Sequence, residues 1–342
     1  MAAVLFVSNQ GNDQGAATLS HPLRTIAEAA SRARPGDSVF IRGGHYRERI
    51  APPRSGLLGK PITYSRYQDE PVVIDASGKK QGVMLWGVSH IIIRGLQIKN
   101  SNRAGIHIHH HLDSPSRGAD YNRIENNDVS SNSSHGIYVA GNHNLVINNT
   151  IRSNGTRQGI KPKGHGIYVL GVENQVSNNK VEANQRLGIR MAGQRHTIMN
   201  NQVLGNGQHG IGVWVDPPER GEMIEIIGNH LEGNGGDGVH INGGGDGGKP
   251  QRLRVVGNRI VSKQGGGVVL LNGVNRVKVS GNHFTGVFSD FIQVGVHSGE
   301  GVTSFNNHYS GVGRFHFLGR NYSQLSDYQR NSGLEDGSVY EH

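Results

Sequence analysis

One pentapeptide recurs in the middle of the chain. His135-Gly136-Ile137-Tyr138-Val139 returns as His165-Gly166-Ile167-Tyr168-Val169 and then as the variant Leu187-Gly188-Ile189-Arg190-Met191. Its glycine continues at Gly105, Gly210, Gly238 and Gly267, with successive gaps of 31, 30, 22, 22, 28 and 29 residues. These gaps reduce to a period of 22 lengthened by insertions, the mark of a fold whose turns pack mainly on their neighbours.

Each repeat carries a second short element ending in Asn, any residue and an aliphatic: Asn127-Asp128-Val129, Asn149-Thr150-Ile151, Asn179-Lys180-Val181, Asn201-Gln202-Val203, Asn229-His230-Leu231 and Asn258-Arg259-Ile260. Two or three short strands cornered by Gly and Asn make one coil of a parallel β-helix. Helical repeats would need long amphipathic runs, and the sequence has none. The Asn column itself, continued at Asn282 and Asn307, reads as corner structure, because stacked amides bond to each other and to turn backbone.

Side chains alternate along a strand, so the aliphatic pairs Ile137/Val139, Ile167/Val169, Ile189/Met191, Ile211/Val213 and Val239/Ile241 face the interior. The residues between them form an outward column: His107, Tyr138, Tyr168, Arg190, Gly212, His240 and Val269. Neighbouring coils lie roughly 4.8 Å apart, close to the rise of one sugar in an extended polysaccharide. The members of this column share no structural reason to be there, which makes it the expected place for chemistry.

The 342 residues fit one all-β domain, a single right-handed parallel β-helix. Residues 1–37 form an N-terminal cap, with an amphipathic helix from Pro22 to Ala33 lidding the core; coils run over 38–310, and an irregular C-terminal cap over 311–342. Asp290 to Val296 departs from the coil pattern. Lys plus Arg exceed Asp plus Glu by 35 to 26, so the surface favours a polyanion. Basic residues are dispersed and aromatics few, which disfavours nucleic acid. There is no cysteine, and no run is long enough to cross a bilayer. A monomer is expected.

The opening, FVSNQGND from Phe6 and then HPLRTIAEAASRARPGDSVFIRGGHYRE up to Glu48, resembles the start of right-handed parallel β-helix polysaccharide lyases. It is most similar to the small alginate lyases and more distantly to the chondroitinase B group. That resemblance implies cleavage of an acidic polysaccharide, alginate first, with Lys, Tyr, His and Arg acting on one face of the helix. It also implies action outside the cytoplasm, extracellular or periplasmic.

β-Elimination from a uronate requires a cation on the carboxylate, a base for the C5 proton and an acid for the departing O4. Arg190 suits two-point pairing with the carboxylate. Tyr138 or Tyr168 can protonate the oxygen; Lys163, among Arg157 and Lys161, or His135 and His165, can serve as base. The expected catalytic set is therefore Tyr138, Lys163, His165, Tyr168 and Arg190. Flanking sugars fall to Arg103, His107, His109, His135, His209, Trp214, Arg220, His240 and Lys249, with Trp214 stacking on a sugar ring or packing on the Pro217-Pro218 loop.

Loops at His110 to Tyr121, Gly155 to Lys163, Asp216 to Met223 and Gly243 to Gln251 are expected to wall a groove. No cofactor is expected. No essential metal is expected: the loop acids Asp216, Glu219 and Asp246 could bind calcium but are irregularly spaced, and His109-His110-His111, which looks like a transition-metal cluster, would point in alternating directions along a strand. A glycosidase would need two carboxylates, and the column has none. Two other readings stand beside the lyase: a mannuronan C5-epimerase, although an Asp-Pro-His motif is absent, and a non-catalytic polysaccharide-binding or phage-type adhesion protein.

Overall fold

The computed structural model describes residues 2–110, 118–155, 164–214, 222–243 and 251–341. The chain divides into two compact units, Met1–Tyr168 and Val169–His342. Each is a right-handed parallel β-solenoid in which a coil gives one short strand to each of three sheets.

In the first unit, the first sheet runs from Val4–Val7 through Ser38–Ile41, Ile62–Arg66, Ile91–Arg94 and Arg123–Glu125 to Leu145–Ile147. The third sheet starts at Val83–Trp86 and continues through Ile106–His109 to Ile137–Ala140. Inward Ile106, Ile108, Ile137 and Val139 are fully buried, as their alternation requires. The N-terminal helix is shorter than the apolar spacing suggests, Ile26–Arg32. Thr25 caps it by accepting from the Glu28 N–H at 3.1 Å, and the Glu48 carboxylate accepts from the Ile26 N–H at 3.0 Å. A competent cap at Thr25 sets the start, not Pro22.

In the second unit, the third sheet holds Ile189–Met191, Ile211–Trp214, Val239–Asn242, Val268–Leu271 and Ile292–Val294 in unbroken register. The segment expected to leave the pattern at 290–296 thus supplies an ordinary strand, with Phe291 and Ile292 buried. Near the C-terminus Phe315–Phe317 extends the third sheet and Val339–Glu341 the second, with the helix Leu325–Ser332 between them.

The repeat glycines are explained by crowding, not by positive φ. A Cβ on Gly136 would lie 2.4 Å from an Ile151 methyl and 2.7 Å from the Gly166 carbonyl; on Gly188, 2.2 Å from a Val203 methyl and 2.8 Å from the Gly210 carbonyl. The left-handed residues sit elsewhere, immediately before each column asparagine. Asn126, Asn148, Asn178, Asn200, Gly228, Gly257, Gly281 and Asn306 have φ between 53° and 65°, the region that Asn and Gly enter at least cost.

The asparagine that follows each such residue is buried and structural. In the second unit the backbone N–H of Asn179, Asn201, Asn229, Asn258 and Asn282 each donates to Oδ1 of the next column member at 2.9 Å. The series ends on the cap, where the Asn307 N–H donates to Ser338 Oγ at 2.9 Å. Two further ladders line the other corners: Asn132 to Asn154 and Asn184 to Asn206 to Asn234 on one, Asn122 to Asn144 on the other.

His196 takes an asparagine's place on that last corner. Its Nδ1 accepts from the Asn174 N–H at 3.1 Å while Nε2 faces the Ala192 carbonyl at 3.0 Å, and it is fully buried. Burial pushes its imidazole down from 6.5 to about 4. The stability this neutral ring contributes is complete above pH 6.5 and lost as pH falls through about 4. His196→Asn should reduce the loss of unfolding free energy between neutral pH and pH 4, by up to about 3 kcal/mol. Denaturant midpoints at both pH values check it; an unchanged pH dependence refutes it.

Candidate active site on the third sheet

In the first unit the outward file of the third sheet is in register as Met84, His107 and Tyr138. The His107 ring lies 4.8 Å from the Tyr138 ring, and Tyr138 meets Tyr168 edge-on at 5.4 Å. His109, one outward position further along its strand, stacks toward Tyr138 at 6.3 Å and lies 6.0 Å from Trp86. Burial, with help from the neighbouring His109 and Arg103, lowers His107 to about 4, so it is a neutral hydrogen-bonding ring near neutral pH.

His135 and His165 precede their strands and stack at 5.2 Å, 9° from parallel. His165 is 2% exposed and its backbone N–H donates to His135 Nδ1 at 3.2 Å. It underpins the layer and is not open to a polymer, whereas His135 is half-buried beside Tyr138.

A pocket of about 450 Å³ opens at the start of this sheet, lined by Arg49, Lys80, Arg103, Trp86, His107 and His109, with Gln81 and Met84 beneath.

In the second unit the file is Arg190, Gly212, His240 and Val269. Gly212 leaves no gap in this file. The Trp214 indole folds back over it, so a Cβ there would lie 2.0 Å from Trp214 Cζ3. The indole occupies the vacant position in the file, with the Arg190 guanidinium 5.8 Å from its centroid and the His240 ring stacked at 4.9 Å and 17°. Both partners flank the ring from neighbouring strands, and the Pro217-Pro218 loop lies outside the described residues. Val269, expected in solvent, is 3% exposed, its methyl lying in the space Gly266 leaves open.

Asp237 organises the imidazoles. Its Oδ2 is 2.7 Å from His240 Nδ1 and 3.1 Å from His209 Nδ1, and its Oδ1 accepts from the Gly266 N–H at 2.7 Å. Burial alone would raise this carboxyl, but the bonds from His209 and His240 outweigh it and hold the acid well below the usual carboxylate range. An ionised aspartate on Nδ1 fixes the His240 tautomer and leaves Nε2 for proton transfer. His209, Asp237 and His240 are also the one group among the described residues able to hold a metal ion. Two imidazoles and a carboxylate suit a zinc- or copper-type ion better than calcium. The His209 Nδ1 also faces the Asp237 backbone N–H at 2.9 Å; one nitrogen cannot accept there and donate to Oδ2 at once, so the two contacts belong to different protonation states of that ring.

Of the expected residues, Tyr138, Tyr168, His107, His109, His135 and Arg103 fall in the first unit and Arg190, His209, Trp214 and His240 in the second. Lys163, Arg220 and Lys249, with Arg157 and Lys161, the acids Asp216, Glu219 and Asp246 and most of the groove loops, lie outside the described residues. Sequence reasoning missed Met84 and Trp86, although Val83-Met84-Leu85-Trp86 has the alternation of Ile106-His107-Ile108-His109 one coil on. Arg49 and Lys80 come from turns and carry no such signal.

Residues 5–159 match the family described as Pel9A-like, right-handed β-helix region, and residues 163–309 match that of the periplasmic copper-binding protein NosD. YwoF of Bacillus subtilis is 46% identical over 70 residues, 20% of this chain and 15% of that protein. Pectate lyase PEL9 of Emericella nidulans is 35% identical over 77 residues, 22% of this chain and 19% of that enzyme. The aligned stretches thus span under a fifth of either relative. Among solved structures, pectate lyase Pel9A superposes with a TM-score of 0.60 at 15% identity, covering 90% of this chain and 78% of that one. The A-module of the Azotobacter vinelandii mannuronan C-5 epimerase AlgE6 gives 0.54 at 17% identity, covering 92% and 93%. At such identities the fold is what is shared, a right-handed parallel β-helix.

Gly212→Ala should expel the indole from between Arg190 and His240. With Trp86 replaced by Phe, Trp214 is the one remaining tryptophan, and its emission should shift to longer wavelength while far-ultraviolet circular dichroism stays unchanged. Unaltered emission would show that the indole does not fill the gap.

Proposed function

We propose that the protein is a polysaccharide lyase that cleaves a uronate-containing polymer by β-elimination, with alginate the first substrate to test. One observation carries the reading. The outward positions of the third-sheet strands hold phenols, imidazoles and a guanidinium, and none of those described carries aspartate or glutamate. A hydrolase of the usual kind needs two carboxylates about 5 to 9.5 Å apart. Asp237, beside the file, is held ionised between two imidazoles and is unsuited to act as an acid.

Within the second unit, Arg190 supplies the cation for a carboxylate, and the Asp237-braced His240 supplies an imidazole able to take a C5 proton. Within the first, Tyr138 and Tyr168 supply phenols for a departing oxygen. Lys163 stays a proposed base. The likeness to PEL9, named a pectate lyase, supports elimination chemistry without choosing the uronate. The NosD match, described as periplasmic, supports a location outside the cytoplasm.

The test is incubation with polymannuronate, polyguluronate, polygalacturonate, glucuronan and glycosaminoglycans, reading the ultraviolet absorbance of unsaturated uronate. Product is expected from at least one, with Tyr138→Phe, Arg190→Lys and His240→Gln each lowering kcat by about 100-fold or more. Reducing ends without that absorbance would indicate a hydrolase. Altered NMR of an uncut polymer would indicate an epimerase, and binding without either change an adhesion protein.

A further inference from the structure

The pocket at the start of the third sheet contains three cations and no acid. Arg49, Lys80 and Arg103 line it, and among the described residues none of them is in an ion pair. Glu48, the nearest acid in sequence, turns away to accept from the Ile26 and Ala27 backbone N–H groups. Three exposed cations lining one pocket without a counter-ion give it a positive potential that attracts an anion.

Its other walls are suited to a sugar. Trp86 is 38% exposed, an apolar face beside His109. His107, neutral near neutral pH, can hydrogen-bond a hydroxyl without adding a fourth charge. Position matters as much as composition. Val83–Trp86 is the outermost strand of the third sheet, with only the single bridge from Ile50 beyond it. Met84, His107 and Tyr138 follow in register at the strand spacing of about 4.8 Å. A sugar held in the pocket already meets His107, so its neighbour falls toward Tyr138, the next member of the file.

We propose that this pocket is the end subsite of the first unit's binding file, taking the carboxylate of a uronate between Arg49, Lys80 and Arg103 with its ring against Trp86. The proposal rests on the acidic-polysaccharide reading above and adds where the chain is anchored. The subsite sets register: it holds the polymer one to two residues from Tyr138 and contributes mainly to binding.

Calorimetric titration of the full chain with trimannuronate and trigalacturonate, against neutral mannotriose, tests it, in wild-type and Tyr138→Phe proteins so that turnover does not intrude. At least one acidic trimer should bind, with affinity falling as salt rises, and mannotriose should not. Arg49→Ala, Lys80→Ala and Arg103→Ala should each weaken binding about tenfold, the loss of one charge-assisted contact, and raise KM for the polymer while kcat changes little. Unchanged affinity in the triple variant, or equal binding of mannotriose, overturns the subsite. Cation-dependent binding without any unsaturated product would leave the pocket standing and remove the lyase. Unsaturated product with wild-type KM in the triple variant would do the reverse.

Discussion

Everything in this fold depends on how the backbone is satisfied at the corners of the coils. A three-sided coil must turn sharply at each side, and a turn takes N–H groups out of the strand ladder and buries them. Here the solution is an asparagine after a left-handed residue. Its Oδ1 accepts the N–H of the corresponding asparagine one coil earlier, and its Nδ2 donates to a carbonyl, as Asn201 does to Val176 and Asn229 to Ile198, both at 3.0 Å. Each ladder step therefore satisfies groups that would otherwise cost on the order of 1–3 kcal/mol apiece. It also locks successive coils in register, because an offset of one residue would break every bond in the column.

Register locked in this way is what gives the outer face its order. Because His107 and Tyr138 are Cα partners in the first unit, their side chains rise from the sheet at strand spacing; in the second, Arg190 and His240 are each partnered to Gly212, whose place the Trp214 indole fills. The close approach at the repeat glycines tightens the coil further, since Ile151 and Val203 methyl groups occupy the space a side chain would need. Rigid spacing of this kind suits an extended polymer, whose own repeat is of similar length.

The chemistry of the face follows from what each position is allowed to be. Tyrosine and histidine in the first unit pack ring against ring, which orients them without ionising them. In the second unit a missing side chain at Gly212 lets Trp214 fold inward and separate a guanidinium from an imidazole. Asp237 then polarises that imidazole from behind. The candidate proton-transfer groups are thus oriented by packed neighbours, His107 and His135 beside Tyr138, and Asp237 and Trp214 beside His240.

The solenoid was legible in the sequence because its determinants are periodic. Aliphatic alternation, a period of 22 and asparagine at the corners are local rules repeated many times, so each coil restates the others. The strand positions of Tyr138 in the first unit, and of Arg190 and His240 in the second, were legible for the same reason. What the tertiary structure decided is non-periodic. Trp214 leaves its own position to occupy that of Gly212; His165 is buried against the His135 ring while His135 stays half-buried beside Tyr138; Arg49 and Lys80 reach the Trp86 pocket from turns with no repeat to announce them. Strand direction depends on a residue's neighbours in sequence, whereas the path of a long side chain depends on which space the adjacent coil leaves empty, and that is settled only when the coils are stacked.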